Sequence, residues 1–142
     1  MPLLTQDGNG LFPNVLAEYN ISSLYVEEIV LNMTQEAKHI LVICTCPGPI
    51  LAKQIAQDLV EKKLAACVNT FAGLHSYFRW GGKVDSAEEI LLLIKTTPDR
   101  YQELEQRIKS LHPYELPEII AVPISTGLPE YLAWIENSTR DT

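Results

Sequence analysis

The first 32 residues of this 142-residue chain contain neither lysine nor arginine. A secretory signal opens on a basic segment before its apolar stretch, and that signature is missing. No apolar run is long enough to span a bilayer; Glu18, Glu27 and Glu28 break up the leader. The expected location is therefore the cytoplasm. Cysteine is scarce, with Cys44, Cys46 and Cys67 only, and an odd, small number excludes a secreted disulfide framework. Basic residues are outnumbered 11 to 18, for a net charge of −7. Phosphate backbones need clustered Lys and Arg, so no nucleic-acid partner is expected, nor a membrane. An acidic surface attracts cations instead. Also missing are a Gly-x-Ser-x-Gly elbow, a phosphate-binding glycine loop and a His-Glu-x-x-His helix. The expectation is a protein that is not an enzyme. A nucleophilic pairing of Cys67 with His112 is the one arrangement left open.

What is present suits one compact domain: 46% hydrophobic and 20% charged residues. The charge is uneven. Residues 1–32 hold four acids and no bases, with Gly8, Asn9, Gly10 and Pro13 early. They read as an acidic N-terminal extension, partly disordered, in which Leu24–Leu31 is compatible with a short helix or a strand. Residues 33–142 read as the folded domain. Met33 is a candidate translation start, because "MTQEAKHILV" resembles the opening of a compact domain.

From His39 the periodicity is clear. "HILVICT" (His39–Thr45) is rich in β-branched residues and predicts a buried strand. Pro49 then opens a helix whose inner face is Leu51, Ile55 and Leu59, closing near Lys62 and Lys63. "LAACVNTF" (Leu64–Phe71) and "HSYFRW" (His75–Trp80) predict extended chain. Gly81-Gly82 is a hairpin turn, and "EEILLLIKT" (Glu88–Thr96) returns as a central strand. Thr97, as a capping hydroxyl, and Pro98 open a second helix with inner residues Tyr101, Leu104, Ile108 and Leu111. "EIIAVPI" (Glu118–Ile124) is a strand that Pro123 confines to an edge. Pro129–Ser138 closes the chain as a helix packing through Tyr131, Leu132, Trp134 and Ile135. The order β-α-β-β-α-β plus a terminal helix predicts an α+β, ferredoxin-like sandwich. Two helices on one sheet face leave the other open, which predicts self-association.

Five ordered blocks, "LAACVN", "FRWGGKV", "LLLIKTT", "HPYELPEIIAVPI" and "GLPEYLAWI", resemble the CutA divalent-cation tolerance proteins over about Lys38 to Arg140. The resemblance implies a homotrimer similar in architecture to the PII signalling proteins, and a link to copper and other divalent metals. It implies no obligatory cofactor. It also implies that the hairpin and the "HPYE" stretch contribute to clefts between subunits.

By that resemblance Cys44, Cys67 and His112 are the candidate metal ligands. Thiolate and imidazole suit copper and similar ions. The same thiols also suit a core, where free cysteine behaves as a small hydrophobe. Cys44 and Cys46 point to one side if the strand reaches that far. Pro113 and Pro117 brace the backbone so that Tyr114 and Glu115 project at a boundary. Trp80, Lys95, Tyr114, Glu115 and Glu118 are the cleft candidates, with His112 beside them. Lys83 and Lys95 are expected to pair with Glu88, Glu89 or Glu118. Two further readings stand beside metal tolerance: a PII-like small-ligand signalling trimer, and a partner-binding scaffold that uses the acidic leader.

Overall fold

The computed structural model describes residues 22–35 and 37–141. The expected disorder of residues 1–21 lies outside them. The chain divides between Glu36 and Ala37 into two units. In the first, helix α1 (Ser23–Gln35) runs through Met33. Ser22 caps it: its Oγ accepts the Tyr25 N–H at 3.3 Å.

The second unit begins with strand β1 (Ile40–Cys46), which reaches Cys46 as its register requires. Gly48 and Pro49 turn the chain into helix α2 (Pro49–Glu61), with Pro49 in the first turn. Strand β2 is one long element (Cys67–Trp80), not two. A register shift between Phe71 and Leu74 marks a bulge where Gly73 takes φ +88°. Gly81 and Gly82, both at positive φ, turn it into strand β3 (Lys83–Thr96).

A 3-10 turn, Pro98–Arg100, precedes helix α3 (Tyr101–Leu111). Thr97 is not the side-chain cap expected of it; its carbonyl accepts the Arg100 N–H instead. Strand β4 (Ile119–Pro123) and helix α4 (Pro129–Thr139) complete the chain. The sheet order is β2-β3-β1-β4, all neighbours antiparallel. That is the ferredoxin-like arrangement, with β3 central and Pro123 on an edge strand as the sequence demanded.

Alternation along the strands assigns their side chains to two faces. Val42, Cys44, Leu92 and Ile94 face α2 and α3, where Ile55, Leu59, Leu104 and Ile108 complete a fully buried core. Each such aliphatic side chain contributes about 2 kcal/mol by leaving water. The two helices are clamped outside the core. Arg107 donates from Nε to Asp58 Oδ2 at 2.6 Å and from Nη2 to Oδ1 at 2.8 Å. Lys62 adds a third donor to the same carboxylate. The Arg107 guanidinium, chiefly, holds the Asp58 carboxyl well below the usual range.

The other face carries His39, Leu41, Ile43, Thr45, Glu89, Leu91, Leu93, Lys95 and, from β2, Cys67 and Asn69. Helix α4 covers one end of it. Ile135 is fully buried, and His39 Nε2 bonds Glu136 Oε1 at 2.9 Å. Of the expected packing residues, Ile135 is the buried one, whereas Tyr131 and Trp134 are largely exposed and stack on each other at 5.4 Å.

Candidate functional site

The "HPYELP" stretch is organised by His112. Helix α3 stops at Leu111, and the next residue turns its ring inward, only 8% exposed. The Nε2–H of that ring donates to the Thr45 carbonyl at 2.7 Å, while Nδ1 accepts the Tyr114 N–H at 3.2 Å. Both ring nitrogens are thereby used on backbone groups, and the ring stacks at a tilt on Tyr114, centroids 4.8 Å apart. His112 ties the proline-braced turn to the end of β1.

That placement matters for the expected metal ligands. Cys44 lies fully buried on the helix-facing side of β1, beside Leu92 and Ile119. Burial above all, then the nearby Cys46, Glu118 and Glu89, push its thiol up to about 12. Burial raises Cys46 as well, partly offset by the Gly48 backbone, and its thiol donates to the Gly48 carbonyl at 3.6 Å. Metal ligation needs the thiolate, which such surroundings suppress. Cys67 lies across from Lys95, and so faces the opposite side of the sheet from Cys44. It is half-buried, next to Tyr131 of α4; burial and then the Cys67 sulfur push that tyrosine's hydroxyl up. Within one chain, then, Cys44, Cys67 and His112 do not converge, because ladder rows three residues apart along β3 send the two thiols to opposite faces and the imidazole is occupied. Among the described residues no group of three His, Cys, Asp or Glu is placed to hold a metal ion. The same separation leaves Cys67 and His112 without a catalytic pairing in this chain.

The cleft candidates fare better, with one exception. Trp80, Tyr114, Glu115 and Glu118 line a single cleft of about 450 Å³ beside the hairpin. Lys95 is not there. It lies six residues along β3 from the cleft residue Glu89, about 20 Å at the rise of an extended strand. It donates instead to Asn69 Oδ1 on the neighbouring strand. Neither Lys95 nor Lys83 forms an ion pair among the described residues, so the expected carboxylate pairing is replaced by that amide contact and, for Lys83, by exposure opposite Trp80.

Sequence reasoning missed the cleft's deepest residue. Glu89 is 5% exposed, and its Oε2 has no hydrogen-bond partner. Tyr114 sits beside it: burial, then the Glu89 charge and a hydrogen bond to the Glu89 carboxylate, push the Tyr114 hydroxyl up. The available signal was position, since Glu89 alternates with Leu91 and Leu93 on one sheet face while Glu88 does not.

Comparison with known proteins places this geometry. Residues 40–138 match the profile of the family described as CutA1 divalent ion tolerance protein. The divalent-cation tolerance protein CutA of Thermus thermophilus is 48% identical over 99 residues, covering 70% of this chain and 96% of that protein. The chloroplastic CutA of Arabidopsis thaliana is 40% identical over 120 residues, 84% of this chain; the match spans 64% of that protein, less than two thirds. A solved structure described as the periplasmic divalent cation tolerance protein CutA from Archaeoglobus fulgidus superposes with a TM-score of 0.70 at 40% identity, covering 72% of this chain and 99% of that one. The chain belongs to the CutA1 divalent ion tolerance family.

Proposed function

We propose that this chain works as a homotrimer in the cytoplasm, not as an enzyme, and binds copper or a similar divalent ion as part of metal tolerance. Membership of a family named for divalent ion tolerance supports the general role. Among the described residues no helix is long and apolar enough to cross a membrane. Self-association is supported by the open sheet face, where Ile120 and Val122 stay exposed.

The observation that carries the site is the position of Cys67, the thiol on the face that α2 and α3 leave uncovered. A soft ion held there takes Cys67 as thiolate and draws its other ligands from neighbouring copies. Cys44 and His112 serve the architecture, one as core and one as a backbone tie. Affinity falls at low pH, because the thiolate must give up its metal to a proton.

Native mass spectrometry of the reduced protein with copper or zinc tests this. The expected result is a trimer whose metal uptake survives Cys44→Ser and is lost in Cys67→Ser. A monomer, or equal loss in both variants, overturns it. The cleft favours a second reading, in which the assembly responds to a small ligand bound beside Trp80 and Tyr114.

A further inference from the structure

Glu89 presents an unsolved problem in the fold. A carboxylate at 5% exposure normally has donors on both oxygens, because leaving one bare costs much of its desolvation. Here the Tyr114 hydroxyl engages the carboxylate, yet Oε2 has no partner, and the residue forms part of the cleft wall. The other charges in that wall do not correct the imbalance. Glu115 and Glu118 add two carboxylates, and Arg79, the one cation in the wall, makes no ion pair among the described residues. Much of the remaining wall is aromatic, chiefly Tyr77, Trp80 and Tyr114, beside Thr45, Ser76 and Leu116.

A buried carboxyl group, a bare acceptor and aromatic faces together select a particular ligand. Aromatic faces attract cations through their quadrupoles. The bare oxygen asks for an N–H donor, since a charge-assisted hydrogen bond is stronger than a neutral one. A metal ion fits less well, because among the described residues no three ligating side chains converge. A volume of about 450 Å³ holds a molecule of several heavy atoms.

We propose that this cleft binds a small organic cation carrying N–H donors, an aliphatic ammonium or guanidinium, with Glu89 as its anchor and Trp80 and Tyr114 as its aromatic walls. The cation reaches Oε2 as the Tyr114 ring, itself 37% exposed, moves aside from the carboxylate. Glu118 and Glu115 supply longer-range attraction at the mouth. This deepens the small-ligand reading and does not depend on the metal reading.

The test is calorimetric titration of the full chain with four probes: agmatine, n-butylammonium, tetramethylammonium and the neutral analogue n-butanol. Agmatine and butylammonium are expected to bind. Tetramethylammonium, which has no N–H, is expected at least tenfold weaker, and butanol weaker still. Glu89→Gln removes the charge and keeps the shape, so agmatine affinity falls at least tenfold, while Glu118→Gln costs about threefold through lost screening-range attraction. Should Glu89→Gln prove poorly folded, the Glu118→Gln loss and the probe ranking still decide.

Trp134→Phe leaves Trp80 as the sole tryptophan, and its emission reports occupancy of the cleft directly. Butanol binding as tightly as butylammonium, or agmatine binding undiminished in Glu89→Gln, overturns the proposal. So does an assembly that refuses agmatine and falls apart in Glu89→Gln, because the cleft is then filled by a neighbouring copy. Succinate serves as the anionic control in the emission experiment; if it moves the Trp80 emission and agmatine does not, the cation is wrong and the small-ligand reading stands. If no probe of either charge moves it, both fall.

Discussion

The two faces of the sheet are made from the same strands, yet they are finished differently. On the helix side Val42, Cys44, Leu92 and Ile94 are wholly buried. On the other side Leu91 and Leu93 are half-buried, while Ile120 is 51% and Val122 40% exposed. Neighbouring residues of one strand, Leu92 and Leu93, therefore do different work. The first packs a core that the chain completes by itself. The second belongs to a surface that α4 covers at one end and the cleft opens at the other, with Ile120 and Val122 exposed between them. A fold can thus be complete on one side and leave apolar surface open on the other.

The sharpest test of that difference is to shave the two neighbours. Leu92→Ala is expected to cost about 2–5 kcal/mol, as buried leucine truncations do. Leu93→Ala is expected to cost about 1 kcal/mol at high dilution. Thermal melts at several protein concentrations measure both. A Leu93→Ala cost that grows with concentration means that a second copy covers this face. Equal costs at every dilution would break the comparison.

Next in size is His112→Phe, which preserves the ring but leaves the Thr45 carbonyl and the Tyr114 N–H without their partner. The expected loss is about 1–3 kcal/mol, read by denaturant unfolding. An unchanged midpoint would show that the turn holds its shape through Pro113 and Pro117 alone.

A further effect belongs to the helix layer. Asp58→Asn removes the charged acceptor of Arg107 and Lys62 and is expected to cost about 1–2 kcal/mol. The pH dependence follows from the sign of the shift. The folded carboxyl is held below its unfolded value, so its contribution is full above about pH 4 and fades as pH falls further. Wild type and Asp58→Asn should therefore converge in stability on acidification. Parallel curves below pH 4 would contradict the clamp.

Much of the fold was legible because each element obeys a local rule. Pro49 opens α2, Gly81-Gly82 turns the hairpin, and Pro123 marks the edge strand; each is settled by the geometry of one or two residues. The thiols were half-legible. Strand alternation puts Cys44 and Cys46 on one side, as expected, but says nothing of which side Cys67 takes, because that depends on the pairing register of a different strand. Tyr114, Glu115, Glu118 and Trp80 were found through their company in the chain. Glu89 was hidden among them, since a glutamate before an apolar run looks like solvated charge until its burial is known.

The sequence by itself determined the order of elements, the sheet's central and edge strands, the apolar faces of the helices and the family. All of these rest on spacing along the chain or on short-range backbone constraint. Tertiary structure alone decided that Cys44 and Cys67 part company, that both nitrogens of His112 are occupied, that Lys95 lies far from the cleft and that Glu89 is buried with a bare oxygen. Each of these depends on register and on contacts between residues distant in sequence, and a side chain's protonation and availability follow from such surroundings rather than from its neighbours in the chain.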